Sequence, residues 1–425
     1  MKKILIFPAG TEIAFEIHHA LRYSKFVELY GGGSVRDHGE MLFKNCLEDI
    51  PYVGRPGFVE KLNQVTDELG IDYIYPAHDS ACLSLIQEQE RLHARVVSSP
   101  LETVEICRSK NATYRHLEGA DYLPRFYSGA EEVESYPVFV KPSVGQGAQG
   151  ARRVDDRAHL EELLASGREY AVCEYLPGRE VSVDCFTDRH GVLRFVSPRS
   201  RDRIKAGIAV RSRFLPRDEG IERIARDLNS RFVFNGAWFF QLKEDGNGEY
   251  KLMEVSPRIA GTSGLTRNRG VNLPLLTLYN MWGYDVDIID NGGQLLLDRA
   301  FISRFESDIS YDKVYVDFDD SLIVKGQVNL SLIAFLYQAR NQGKSVYMLT
   351  KHRGDIRQEL ERYNIAPGLF TRIIHLENSE SKVPYIEPGS IFIDDSFAER
   401  KRIREACGIP VFDLDMVESL LDWRA

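Results

Sequence analysis

The chain has 425 residues, 43% hydrophobic and 28% charged, with a formal net charge of −9. That length exceeds one ordinary hydrophobic core and implies several folding units of soluble composition. The acidic balance argues against non-specific nucleic-acid binding, which needs a basic surface, and no apolar run approaches the ~20 residues of a membrane-spanning helix.

The opening MKKILIFPAGTEIAFEI imitates a secretory signal, but its apolar run stops at Pro8 and meets Glu12 and Glu16. It reads as a first β-strand. Residues 1–105 then alternate strands with amphipathic helices. EIAFEIHHALRY is a helix, KFVELYGGG a strand and glycine turn, FVEKLNQVTDELG a helix closed by Gly70, and IDYIYPAHD a strand. Such alternation predicts a parallel, Rossmann-like sheet. The six cysteines (Cys46, Cys82, Cys107, Cys173, Cys185, Cys407) form no CxxC pair. Neither a zinc site nor a disulfide framework is expected; reduced thiols in a cytoplasmic protein are.

From about residue 106 to 295 the pattern changes to hairpin-like strands, including YPVFVKP, EYAVCEYLPG, EVSVDCFTD, GVLRFVSPRS, AWFFQLKED and EYKLMEVSPR. A turn falls at DGNG. FVKPSVGQGAQG puts Lys141 at a strand end, followed by Gly145, Gly147 and Gly150. Glycine backbone can fold over phosphates and offer N–H donors while a lysine supplies charge. Lys110 lies upstream; Glu174, Leu176 and Glu180 lie downstream. FFQLKEDGNGEYKLMEVSPRIAG then brings Gln241, Glu254, Ser256 and Arg258. Paired strands can set Gln241, Glu254 and Ser256 side by side, an oxygen set suited to Mg²⁺.

This ordered set resembles the ATP-grasp superfamily, in particular proteins like the carbamoyl phosphate synthetase large subunit and related carboxylate–amine ligases, over roughly residues 1–300. The resemblance implies that Lys110 and Lys141 contact ATP and that Gly145, Gly147 and Gly150 cover its phosphates. Glu174, Tyr175 and Leu176 would be the hinge beside adenine, with Glu180 on the ribose and Gly207 near ATP. Gln241 and Glu254 would hold Mg²⁺ (or Mn²⁺), and Arg258 would face an acyl phosphate. Where the family reads Glu-x-Asn-Pro-Arg this chain has Ser256, a weaker metal ligand. The basic stretch SPRSRDRIKAGIAVRSR, with Arg199, Arg201, Arg203, Lys205, Arg211 and Arg213, is either a solvated hairpin or an anion pocket.

IIDNGGQLLLDRAF is the candidate linker. From residue 308, β/α alternation returns in KVYVDF, SVYMLT, RIIHL, SIFIDD and PVFDLD. VDFDDSL carries Asp317, Asp319 and Ser321 after an apolar strand. If the strand stayed extended, Asp317 and Asp319 would share a face. Thr350 ends one later strand; Asp394 and Asp395 end another. Parallel strands converge at their carboxyl edge, where open α/β folds build sites, and a cation between Asp317 and Asp394 would offset their repulsion.

This pattern looks like the haloacid-dehalogenase (HAD) phosphohydrolase superfamily over roughly residues 308–425. The resemblance implies Asp317 as nucleophile, Asp319 as general acid and base, Thr350 on the phosphoryl oxygens, and Lys382 (with Lys351 a rival) as the phosphate lysine. The implied metal set is Asp317, Asp319 and Asp394, with Asp395 a possible addition. The gaps between these strands leave no room for a large cap domain.

The whole is expected to be an α/β and α+β multidomain protein. Its parts would be a Rossmann-like pre-ATP-grasp domain (1–105), an ATP-grasp domain (106–300) and an HAD-like parallel α/β domain without a large cap (308–425). The function expected is an ATP- and Mg²⁺-dependent ligase acting through an acyl phosphate, fused to a phosphatase. Its partners would be small-molecule carboxylates and amines, phosphorylated or not. Alternatives are a phosphatase with a non-ligating nucleotide site, or a nucleotide-responsive binding module.

Overall fold

A computed structural model describes residues 1–145 and 147–424. Gln146 of the expected glycine loop and the terminal Ala425 lie outside the described residues. The chain divides into two compact units, residues 1–301 and 302–424.

The first unit opens with β1 (Lys2–Phe7), α1 (Glu12–Leu21), β2 (Val27–Gly32), β3 (Cys46–Leu47), α2 (Phe58–Leu69), β4 (Tyr73–Pro76), α3 (Asp79–Gln87) and β5 (Arg95–Val96). Thr11 Oγ1 accepts from the Ala14 amide to start α1, and Gly70, in the left-handed region, ends α2. The strands make a five-stranded parallel sheet of order β3-β2-β1-β4-β5. Helices α4 (Leu101–Arg108) and α5 (Lys110–His116) lead out of it.

Next come β6 (Phe126–Tyr127), β7 (Val138–Pro142), β8 (Arg152–Val154), α6 (Arg157–Leu164) and β9 (Tyr170–Glu174). Their strands form an antiparallel sheet of order β6-β9-β7-β8. Then follow β10 (Glu180–Thr187), β11 (Leu193–Ser200), β12 (Arg203–Lys205), β13 (Ile208–Arg213), α7 (Glu219–Arg231), β14 (Gly236–Glu244) and β15 (Tyr250–Ser256). The larger sheet has the order β11-β10-β14-β15. Helices α8 (Gly264–Asn268) and α9 (Leu273–Met281) close the unit, with β16 (Leu296–Asp298) after them. Ile4, Ile6 and Ile17 share one buried cluster with Phe186, Ala237, Leu273 and Leu278, so the parallel sheet and the larger antiparallel sheet are packed on a common core.

The expected linker is corrected in part. Its Leu296–Asp298 is a strand paired with β13, placing Asp298 opposite Arg211. Arg203 and Arg211 both reach Asp298, at 2.8 and 3.6 Å, and Arg299 pairs with Glu16. Charge pairing to a distant strand, invisible locally, fixes this segment.

The second unit holds β17 (Lys313–Val316), the hairpin β18 (Ile323–Val324) and β19 (Gln327–Val328), α10 (Leu330–Asn341), β20 (Ser345–Thr350), α11 (Ile356–Arg362), β21 (Arg372–His375), β22 (Ser390–Ile393), α12 (Phe397–Cys407) and β23 (Val411–Phe412). Its sheet is parallel, of order β21-β20-β17-β22-β23. Val314 and Val316 face one buried cluster and Tyr315 another, so both faces of β17 are covered, which is why its sequence is continuously apolar. Between β17 and β20 the described chain contains only the short hairpin and α10. Among the described residues, no helix is long and apolar enough to cross a membrane.

Candidate functional site

Two clefts in the first unit collect most of the expected nucleotide residues. One, of about 410 Å³ with its open mouth included, is lined by Lys141, Glu174, Leu176, Glu180, Lys243 and Met253 among others. Lys141, at the end of β7, is buried; its Nζ donates to Tyr114 Oη and to the Met253 carbonyl, both at 2.8 Å. Burial lowers its pKa. Glu174 Oε1 accepts from the Arg125 amide at 2.8 Å. Glu180 is paired with Arg201 and Lys243, each at 3.1 Å. Tyr175 does not line this cleft; the Arg153 guanidinium lies 5.0 Å from its ring centre.

The second cleft, of about 430 Å³, is lined by Asp79, Arg108, Lys110, Gly145, Glu254, Ser256 and Arg258 among others. Gln241 on β14 sits directly opposite Glu254 on β15, as the hairpin reading expects. Ser256, opposite Phe239 and two residues beyond Glu254, is committed elsewhere: its hydroxyl donates to Asp79 Oδ1 at 3.1 Å. Arg258 donates Nε and Nη2 to the two Asp79 oxygens, each at 2.6 Å. Burial would raise the Asp79 pKa, but Arg258 outweighs it and holds this carboxyl well below the usual carboxylate range.

Gly147 and Gly150 both have positive φ, and Gly207 has φ +79°. A Cβ on Gly207 would fall 2.3 Å from the Gly147 carbonyl carbon. The β12–β13 turn therefore touches the glycine loop backbone to backbone, a contact only glycine allows. Arg108 Nη1 donates to the Gly145 carbonyl at 3.1 Å, tying the same loop to α4.

The basic stretch is largely neutralised. Arg199, fully buried, makes a two-pronged pair with Asp184 at 2.9 Å, and Arg213 pairs with Asp202 at 2.9 Å. With Arg201 on Glu180 and Arg203 and Arg211 on Asp298, five of the six cations have acidic partners. Lys205 lies 4.3 Å from the Phe301 ring centre.

In the second unit, Asp317, Asp394 and Asp395 offer carboxylate oxygens that all lie within 4.8 Å of one another. Lys382 Nζ bridges Asp317 and Asp394 at 2.7 Å each, and all three are buried. Burial and then Asp394 push Asp317 up to about 6, with Lys382 opposing. Burial likewise raises Asp394. Burial works to lower Lys382, and its two carboxylates outweigh that and raise it. Three acids against one lysine leave a surplus of negative charge, so this donor set fits a divalent cation.

Thr350 is fully buried at the end of β20. Lys351 turns away to Glu399 at 3.0 Å, so Lys382 is the lysine on the acids. Asp319 does not join the cluster. The strand ends at Val316, the chain turns with Leu322 N–H donating to Phe318 C=O, and Asp320 has φ +51°. The expected shared face is lost, and Asp319 faces His352 instead.

Sequence reasoning missed Asp79, Tyr114, Arg108 and His352. Asp79 had one signal, an acid just past the carboxyl end of a parallel strand in YPAHD. Tyr114 and Arg108 had none, since their partners lie on other elements.

A family model described as ATP-grasp in the biosynthetic pathway with Ter operon matches residues 167–296. The arginine-specific carbamoyl phosphate synthase large chain of Bacillus subtilis is 22% identical over 246 residues, which is 52% of this chain and 24% of that protein. The carbamoyl phosphate synthase large chain of Thermomicrobium roseum is 38% identical over 81 residues, 18% of this chain and 7% of that one. This chain thus spans a quarter or less of these curated relatives. Among solved structures, the biotin carboxylase–β,γ-ATP complex of Campylobacter jejuni superposes with TM-score 0.58 at 16% identity, covering 69% of this chain and 74% of that one. A biotin carboxylase domain of Hydrogenobacter thermophilus 2-oxoglutarate carboxylase, in complex with MgADP and bicarbonate, gives 0.56 at 16% identity, covering 69% and 73%. An L-amino acid ligase of Bacillus licheniformis gives 0.53 at 20% identity, covering 66% and 74%. The first of these solved structures holds a β,γ-ATP ligand and the second MgADP. The fold is therefore ATP-grasp-like, and the ATP-grasp superfamily is where the relatives of this chain lie.

Proposed function

We propose that the protein is an ATP- and Mg²⁺-dependent carboxylate–amine ligase fused to a phosphohydrolase. In this reading residues 1–105 are the pre-ATP-grasp domain, 106–300 the ATP-grasp domain and 308–425 an HAD-like domain. The observation that carries the ligase half is that one cleft gathers Lys141, Glu174 and Glu180 and a second gathers Lys110, Gly145, Glu254 and Arg258, with Gly207 packed on the glycine loop at Gly147. Lys110, Lys141 and the glycine loop hold the triphosphate; Glu174, Leu176 and Glu180 hold adenosine, with Tyr175 outside the cleft as the backbone link of that hinge. Gln241 and Glu254 would hold Mg²⁺ (or Mn²⁺), which would supply charge to neutralise the phosphates. A substrate carboxylate attacks the γ-phosphorus, ADP leaves, and an amine or other nucleophile displaces phosphate from the acyl phosphate. Incubation with ATP, Mg²⁺ and panels of small acids and amines should release ADP only with the right pair. Bound ATP with no ADP from any pair would sink this half.

The phosphatase half rests on the buried Asp317–Lys382–Asp394 arrangement beside Thr350. Asp317 attacks phosphorus, Lys382 and Thr350 hold the phosphoryl oxygens, and Asp319 carries the proton of the leaving oxygen. Asp317→Asn should abolish hydrolysis of 4-nitrophenyl phosphate while sparing ATP binding. Retained hydrolysis would refute the nucleophile assignment. A second reading, nucleotide binding without ligation, draws on the saturation of Arg258 by Asp79. Unchanged phosphatase output from Lys141→Ala, with no ADP from the wild type, would favour it.

A further inference from the structure

Within the phosphatase reading, on which this step rests, we infer that His352 is a positioning residue that aims the Asp319 carboxyl. Asp319 lies beyond the end of β17 with its side chain 52% exposed. An aspartate so placed ordinarily samples several rotamers, whereas proton transfer needs fixed reach and direction. His352 Nδ1 sits 2.9 and 3.0 Å from the two Asp319 oxygens. Among the described residues, no other side chain is hydrogen-bonded to that carboxylate.

The imidazole is itself confined, and its backbone is anchored. Its side chain is only 14% exposed. It meets the Phe318 ring edge-on, with centroids 5.3 Å apart at 81°. Its backbone N–H donates to Thr350 Oγ1 at 3.2 Å, and its carbonyl accepts from His375 Nε2 at 2.7 Å. Gly354, at φ +140°, passes close to Nε2, where a Cβ would lie 3.4 Å away. Thr350, His352 and Asp319 thus form one connected set, running from the expected phosphoryl-binding hydroxyl to the expected acid.

The chemistry uses this link in one way. In the first step the Asp317–phosphorus bond forms and the bond from phosphorus to the leaving oxygen breaks. That oxygen departs with the proton from Asp319. The His352 N–H, shared between the two Asp319 oxygens, fixes the plane and direction of the carboxyl, so that the proton it carries reaches the leaving group. In the second step water attacks the aspartyl phosphate, Asp319 accepts its proton, and Asp317 and phosphate are released.

Dependence on the leaving group separates aiming from mere folding. An aryl ester such as 4-nitrophenyl phosphate departs without protonation; an alkyl ester such as glycerol 2-phosphate does not. His352→Phe should lower kcat/KM, which reports formation of the aspartyl phosphate, by about a hundredfold on glycerol 2-phosphate and by less than about threefold on 4-nitrophenyl phosphate. His352→Asn, whose amide occupies the Nδ1 position, should recover most of the loss. Equal losses on both esters, or none on either, would overturn the inference. Hydrolysis surviving in Asp317→Asn would instead refute the phosphatase reading itself. Independently of turnover, ¹⁵N-labelled protein should show a hydrogen-bonded His352 Nδ1 proton that moves upfield in Asp319→Ala. An unmoved signal would equally overturn the inference.

Discussion

Arg258, two residues beyond β15, is gripped by Asp79 in the first turn of α3, a residue 179 positions earlier, through two hydrogen bonds of 2.6 Å. The pair ties the parallel N-terminal sheet to the antiparallel sheet carrying Glu254, and Ser256 adds a third bond to the same carboxylate. The serine that departs from the family's usual asparagine thus has a structural partner.

Removing this carboxylate leaves a largely buried guanidinium uncompensated. Asp79→Asn should cost about 3 kcal/mol, lowering the calorimetric midpoint of the first unit by roughly 5 °C near neutral pH. The Asp79 pKa is depressed, so its contribution is present above the ordinary carboxylate range and lost only as pH falls through the depressed native value. Wild type and variant should therefore converge in strong acid. An unchanged midpoint at pH 7 would show that the pair contributes nothing.

Gly207 and Gly147 meet backbone to backbone, so a methyl at position 207 must push the glycine loop away. At φ +79° it also strains its own residue, by about 1–3 kcal/mol. Gly207→Ala should weaken ATP binding at least about tenfold in calorimetric titration. Gly191→Ala, at a turn with φ +78° and open space around the added carbon, should cost about 1 kcal/mol of stability and leave ATP affinity within about threefold.

In the metal-free protein, burial and then Asp394 push the Asp317 carboxyl up to about 6, so it should titrate through about pH 6 in carbon NMR, and a bound divalent cation should move that titration downward. Lys382→Met removes the cation that opposes burial, so the titration should shift upward, and under the proposed phosphatase reading kcat should fall by more than about a hundredfold. The stability sign follows: the native state keeps this proton longer than the unfolded chain. Asp317's contribution therefore declines as pH rises from about 4 to about 6.

Lys351 serves as the contrast. It pairs with Glu399 rather than with the acids. Lys351→Ala should keep phosphatase kcat within about fivefold, against the much larger loss for Lys382→Met. Similar losses in the two variants would show that distance to the acids does not sort them.

Much of this was legible locally. The apolar strands ending in Asp317, Thr350 and Asp394, and the run Lys141 to Gly150, announce themselves because strand period, glycine and charge are properties of adjacent residues. The parallel order of both five-stranded sheets follows from the strand–helix alternation, and the facing of Gln241 and Glu254 from one short turn. What the sequence could not decide is where long side chains end. The basic stretch from Arg199 to Arg213 reads as either a solvated hairpin or an anion pocket, and in the fold Asp184, Glu180, Asp202 and Asp298 take five of its charges. Asp319 reads as a metal ligand, yet a turn at Phe318 delivers it to His352. Periodicity and turn chemistry act over a few residues, and they fixed the strands, the glycine loop and the acids. Ion pairing acts through space, so only the folded chain could choose Asp79 for Arg258, Lys382 for Asp317 and His352 for Asp319.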